Sequence, residues 1–131
     1  MIERLAIDAN AAIDLMRADR ADPAPIAEAR AILLPLPVLG ELFTGAFSSR
    51  RPATHMSEIE ESLKTWRVIE PDVRTALVYG DLRARIRVPQ AVGMSKLNDL
   101  WIAALCLQHD LPLLTNDHGF DHIAGLTVIH W

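Results

Sequence analysis

From Asp99 to His109, apolar side chains (Leu100, Ile102, Ala103, Ala104, Leu105) occupy every side of successive turns. That is the pattern of a buried helix. Asn98 stands where an N-cap is expected, which puts Asp99 at the positive end of the helix dipole. The apolar run that follows, Leu111 to Leu114, reads as a buried strand. A helix over 99–109 rises roughly 15 Å at about 1.5 Å per residue. A strand over 111–115 returns roughly 15 Å at about 3.3 Å per residue. The matched lengths bring Asp99 and Asp117 to one edge of a sheet, where like charges repel unless a cation or a proton lies between them.

The rest of the chain alternates in the same way. Leu5-Ala6-Ile7 is an apolar run ending in Asp8, with Asn10 and a helical segment behind it, which reads as strand, turn and helix. In open α/β sheets, ligands bind beyond the carboxyl ends of strands, where Asp8 falls. A plain capping role would place it there too. Ala31–Pro35 reads as a second strand. Pro37 suits the first turn of the helix that carries Val38, Leu39, Leu42 and Phe43. Glu41 lies among these apolar neighbours in that turn, where it either complements the dipole or faces a partner. Met56–Trp66 is amphipathic, with Ile59, Leu63 and Trp66 on one stripe. Val68-Ile69 is a short strand. Pro71 opens a helix through Arg87 with Val73, Leu77, Leu82 and Ile86 inward. Pro89–Leu97 is a loop, 118–123 a turn or helical corner, and Leu126–Trp131 a last strand. Strands alternating with helices predict a mainly parallel sheet covered on both faces, in one domain over residues 1–131.

Composition changes this picture little. Half of the 131 residues are hydrophobic, enough for a sizeable core. No apolar run reaches the length of a membrane span and no signal peptide is evident, so a cytoplasmic protein is expected. The one cysteine, Cys106, lies inside the predicted buried helix, which excludes a disulfide framework. The net charge of −4 does not advertise nucleic-acid binding. Were four carboxylates gathered into one site, however, the remaining acids would balance the bases.

Four acids have such addresses: Asp8, Glu41, Asp99 and Asp117 all fall at strand-to-helix junctions. A cluster of that kind is stable around hard cations, and Mg²⁺ or Mn²⁺ suits oxygen ligands with open positions. Such ions bind a phosphodiester, generate hydroxide and neutralise charge in phosphoryl transfer. His118 and His122, with Asp121 between them, have zinc-like spacing, but no further Cys or His cluster completes a tetrahedron. No glycine-rich phosphate loop is present. Arg83, Arg85 and Arg87 read as a solvated helix face or as phosphate contacts.

Leu5-Ala6-Ile7-Asp8-Ala9-Asn10, Pro37-Val38-Leu39-Gly40-Glu41-Leu42, Asn98-Asp99-Leu100-Trp101-Ile102-Ala103-Ala104 and Leu114-Thr115-Asn116-Asp117-His118-Gly119-Phe120 together resemble the PIN-domain family. The likeness is greatest to the VapC-type toxins of bacterial toxin–antitoxin pairs. The resemblance implies a three-layer α/β/α sandwich, Mg²⁺- or Mn²⁺-dependent endoribonuclease activity, a homodimer and a cognate antitoxin. It implies metal-binding and catalytic roles for Asp8, Glu41, Asp99 and Asp117, supported by Asn10 and Thr115. One departure stands out: the family's usual Thr after the first Asp is Ala9, so a hydroxyl that would orient Asp8 is missing there. Phe43, Phe47 and Trp66 are candidates for a groove or dimer face, or for ordinary core. The alternatives are a phosphoacceptor receiver-like domain and a PIN-like binding module without nuclease activity.

Overall fold

A computed structural model describes residues 2–17, 22–86 and 94–131, apart from the side chains of 94–96. The elements run β1 (Ile2–Ile7), α1 (Ala9–Met16), α2 (Ala24–Glu28), β2 (Ala29–Pro35), α3 (Leu36–Phe47) and α4 (Pro52–Ser62). Then follow β3 (Arg67–Ile69), α5 (Val73–Arg85), α6 (Met94–Gln108), β4 (Leu113–Leu114), a 3₁₀ turn η1 (His118–Phe120) and β5 (Val128–Ile129).

Prolines stand at three of the helix starts, with Pro25 in the first turn of α2. Pro37 falls in the first turn of α3 and Pro52 in that of α4, where a missing N–H costs nothing. Leu5, Ala6, Ile7, Leu33, Leu34, Leu113 and Leu114 are buried, so the middle of the sheet is apolar on both faces. The five strands are parallel in the order β3-β2-β1-β4-β5. The chain therefore steps from β1 to β3 in one direction and returns to the other side of β1 for β4 and β5. Right-handed crossovers then place the helices before β3 on one face and α5 and α6 on the other, which makes the three-layer sandwich expected from the sequence. The reversal falls between β1 and β4, the switch point at which doubly wound sheets bind ligands.

Helices α5 and α6 are tied at both levels of their contact. Asp72 caps α5 in a reciprocal capping box with Thr75. Gln108, at the end of α6, donates to Asp72 at 2.9 Å and meets the Thr75 hydroxyl. Higher up, the Tyr79 and Trp101 rings stack 4.0 Å apart. This pairing turns Thr75, Val78, Tyr79, Leu82 and Ile86 inward. It corrects the expected register: Val73 and Leu77 are 88% and 72% exposed, on the opposite face.

Three further expectations change. α6 begins at Met94, so Met94–Leu97 is helical rather than loop, and Asn98 and Asp99 lie inside the helix instead of at its cap. α3 begins at Leu36, which moves Glu41 into the second turn. α4 runs over Pro52–Ser62 and stops short of Trp66, although Ile59, Leu63 and Trp66 do face the core. Arg87 and residues 89–93 of the predicted loop lie outside the described residues. Cys106 is a buried core residue, as expected.

Candidate active site

Strand β1 ends at Ile7, and the next residue, Asp8, takes extended backbone and caps α1. One carboxylate oxygen accepts the Ala11 N–H at 2.9 Å. The other accepts the Thr115 hydroxyl at 2.5 Å. Thr115 directly follows β4; its N–H donates to the Ile129 carbonyl at 2.9 Å, which fixes it between β1 and β5. Its side-chain oxygen in turn accepts the Asp117 N–H at 3.0 Å. The hydroxyl thus joins the ends of β1 and β4 and supplies what Ala9 lacks.

Asp117 caps η1, its carboxylate accepting the Gly119 N–H at 2.8 Å. Glu41, which feels the charge of Asp8, receives the Asn98 amide at 3.4 Å across the gap between α3 and α6. Asn98 is therefore an orienting partner of Glu41. A strong local capping signal in the sequence pointed to the other role.

The electrostatics show which acids share a field. Asp8 is 6% exposed, and burial raises its pKa above the ordinary 3.8. The bonds from Thr115 and Ala11 oppose that rise, while the charge of Asp117 adds to it. Burial also raises the Glu41 pKa above 4.5, with the charge of Asp8 adding and the Asn98 amide opposing. Asp8 thus interacts electrostatically with both Asp117 and Glu41. Asp99 lies on α6 in the wall of a hollow of about 250 Å³, beside Gly119 and Phe120 of the turn that Asp117 caps.

Beside Glu41 opens a cleft of about 1050 Å³ between α1, α3 and α4. Asn10 and Arg17 lie on its α1 wall and His55 and Glu58 on its α4 wall, while Ile13, Leu42 and Ile59 give it an apolar floor. The zinc-like pairing of His118 with His122 is not formed. His122 lines the hollow with Asp99, and the group that does converge is His118, Asp121 and His130. Among the described residues, that trio is the one set of three potential ligands whose atoms all lie within 4.8 Å of one another. No three of the four acids Asp8, Glu41, Asp99 and Asp117 meet that limit. Of the arginines, Arg85 is paired with Asp81 at 3.0 Å and Arg83 with the Tyr79 hydroxyl at 3.0 Å.

A parallel, doubly wound sheet with buried and neighbouring carboxylates at its switch point belongs with the α/β proteins that bind ligands beyond their strand ends. Comparison with known families places it more narrowly: the chain belongs to the PIN domain family, whose model matches residues 5–126. No curated protein matches it in sequence. Among solved structures it is similar to the Rickettsia felis VapBC2 complex bound to a promoter DNA fragment, with TM-score 0.81, 21% identity and 98% of each chain covered. It is also similar to DNA-bound VapBC of Salmonella typhimurium, with TM-score 0.80, 25% identity and 100% and 99% of the two chains covered. A third relative is VapBC-1 of nontypeable Haemophilus influenzae, with TM-score 0.75, 26% identity and 98% of each chain covered.

Proposed function

We propose that this chain is a Mg²⁺- or Mn²⁺-dependent endoribonuclease, a hydrolase of RNA phosphodiester bonds, and the toxin of a toxin–antitoxin pair. The observation that carries the reading is Asp8: a buried carboxylate at the switch point, under the charge of Asp117 and itself acting on Glu41. Burying interacting acids is costly unless a cation offsets their repulsion. The donor set fits a hard divalent ion, since every candidate ligand is a carboxylate oxygen. The Asp8 carboxylate accepts from the Ala11 N–H, the Thr115 hydroxyl and the Asn10 backbone, which fixes its oxygens in place to meet a cation. When bound, Mg²⁺ or Mn²⁺ supplies Lewis acidity toward a phosphate oxygen and lowers the pKa of a water.

In this reading Asp8, Asp99 and Asp117 hold the ion, and Glu41 completes the site or positions the attacking water. Asn98 orients Glu41. Thr115 locks Asp8 against the Asp117 turn, and Asn10 presents a polar group on the cleft wall. An antitoxin partner is supported by the VapBC complexes among the similar structures. Homodimerisation is supported by exposed apolar side chains, Phe47, Val73 and Leu77. We place the protein in the cytoplasm; among the described residues no helix is long and apolar enough to cross a membrane. A receiver-like domain is disfavoured by topology, because receivers have the strand order 2-1-3-4-5 and this sheet does not.

Asp99→Asn is the test. Asp99 lies inside α6, where Asn and Asp have similar helix propensities, so the fold should survive. The expected outcome is a metal-free melting temperature at or above wild type. Mg²⁺ or Mn²⁺ should raise the melting temperature of the wild type but not of the variant, and cleavage of cellular RNA should be lost. Cleavage that persists in the variant would refute the mechanism. A wild type that binds RNA but leaves it intact with either ion would make the chain a binding module.

A further inference from the structure

We propose that His118, Asp121 and His130 form a second metal site, for a borderline divalent transition ion of the Zn²⁺ class, separate from the carboxylate site. The three residues come from different places. His118 opens η1, Asp121 caps its end, and His130 directly follows β5. Both rings converge on one carboxylate: His118 Nδ1 lies 2.8 Å from one Asp121 oxygen and His130 Nε2 lies 2.9 Å from the other. The ring centroids are 4.4 Å apart with planes tilted by 42°, so two ring nitrogens and a carboxylate face a common point.

An ordinary surface ion pair would use the same contacts, and what favours a metal is the convergence of three potential ligands together with the fixed tautomer of His130. Its Nδ1 lies 2.5 Å from the Thr115 carbonyl, which can only accept, so Nδ1 carries the hydrogen. Nε2 is then the ring nitrogen that faces the Asp121 carboxylate. A proton on Nε2 makes an ion pair with Asp121, and a metal ion that displaces that proton is bound by both groups. A backbone carbonyl holding the far ring nitrogen is also the usual arrangement behind a metal-ligating histidine.

The spacing is compatible. Tetrahedral ligands on bonds of about 2.0–2.1 Å sit about 3.3 Å apart, and the three ligand atoms here already lie within 4.8 Å of one another on solvent-exposed side chains free to adjust. Two imidazoles and one carboxylate select Zn²⁺-class ions, whereas an all-oxygen site selects Mg²⁺ or Mn²⁺. The location gives the site a consequence. The ion would clamp the end of β5 to the turn that Asp117 caps, with the Thr115 carbonyl as the second point of attachment.

The experiment titrates untagged, metal-free protein with Zn²⁺ against a chromophoric chelator in millimolar Mg²⁺, for wild type, Asp99→Asn, His118→Gln and His130→Gln. In parallel, the histidine ring ¹⁵N resonances of the wild type are followed as Zn²⁺ is added. One equivalent should bind to wild type and to Asp99→Asn alike. Each histidine variant should bind at least ~10-fold more weakly. The His118 and His130 ring nitrogens should shift while those of His55 and His109 stay in place. Loss of Zn²⁺ binding in Asp99→Asn with the histidine variants unaffected would put the ion in the carboxylate site and overturn the proposal. Unmoved His118 and His130 resonances would also overturn it, and that arm stands even if a variant fails to fold. Because RNA is not involved, failure of the ribonuclease reading leaves this result unaffected.

Discussion

Thr115→Val isolates the one hydroxyl that joins the two central strands at their chemical ends. The residue is 0% exposed, and valine nearly matches it in shape, so packing is kept while two hydrogen bonds are lost. The bond to the Asp8 carboxylate is of the charge-assisted kind, worth about 1.5–3 kcal/mol. Losing the acceptor for the partly buried Asp117 N–H adds up to about 1 kcal/mol, depending on how readily water replaces it. A total near 2–4 kcal/mol corresponds to roughly 6–15 °C in melting temperature for a domain of this size. Thr115→Ser keeps the hydroxyl and loses one methyl, about 1 kcal/mol. The expected order in thermal unfolding of metal-free protein is therefore wild type, then Ser, then Val. Loss of the Thr115 bond also removes a restraint on the upward shift of the Asp8 pKa, so the gap between Ser and Val should narrow as acid protonates Asp8. A valine variant as stable as the serine variant at neutral pH would refute the idea that this hydroxyl holds the site together.

Glu41 provides a pH test. Its folded pKa is raised by burial, so the native state holds the proton to higher pH than the unfolded chain does, and ionisation works against folding. Without metal, Glu41→Gln should gain stability relative to wild type as pH rises from 4.5 through the raised value, a trend that parallel urea titrations would show. Cys106 is buried and its thiol is pushed up to about 12, so a disulfide-exchange reagent at pH 8 should label the protein only at the rate of unfolding. Phe47 is 71% exposed on α3; if it serves a homodimer, Phe47→Ser should shift the sedimentation profile toward monomer, and a wild type that is monomeric at high concentration would remove the dimer.

What could be read in the sequence was whatever neighbours along the chain determine. The apolar runs ending in Ile7, Pro35 and Leu114 are the core strands β1, β2 and β4 because unbroken hydrophobic stretches suit strands covered on both faces. Asp8 and Asp117 follow such runs by one and three residues, so their place at the sheet edge needed no tertiary information. Where contacts cross the chain, local signals gave way. Asn98 looks like a cap, but its helix begins earlier and its amide meets Glu41, 57 residues away. The capping box and the Gln108 contact set which side of α5 is buried, and they leave Val73 and Leu77 outside. Thr115 reaches Asp8 across 107 residues. His130 joins Asp121 only because β5 is laid beside β4, which is why the histidine spacing of the sequence suggested His122 instead. Periodicity is written in adjacent residues, whereas the partner of a polar side chain depends on which strands become neighbours in space.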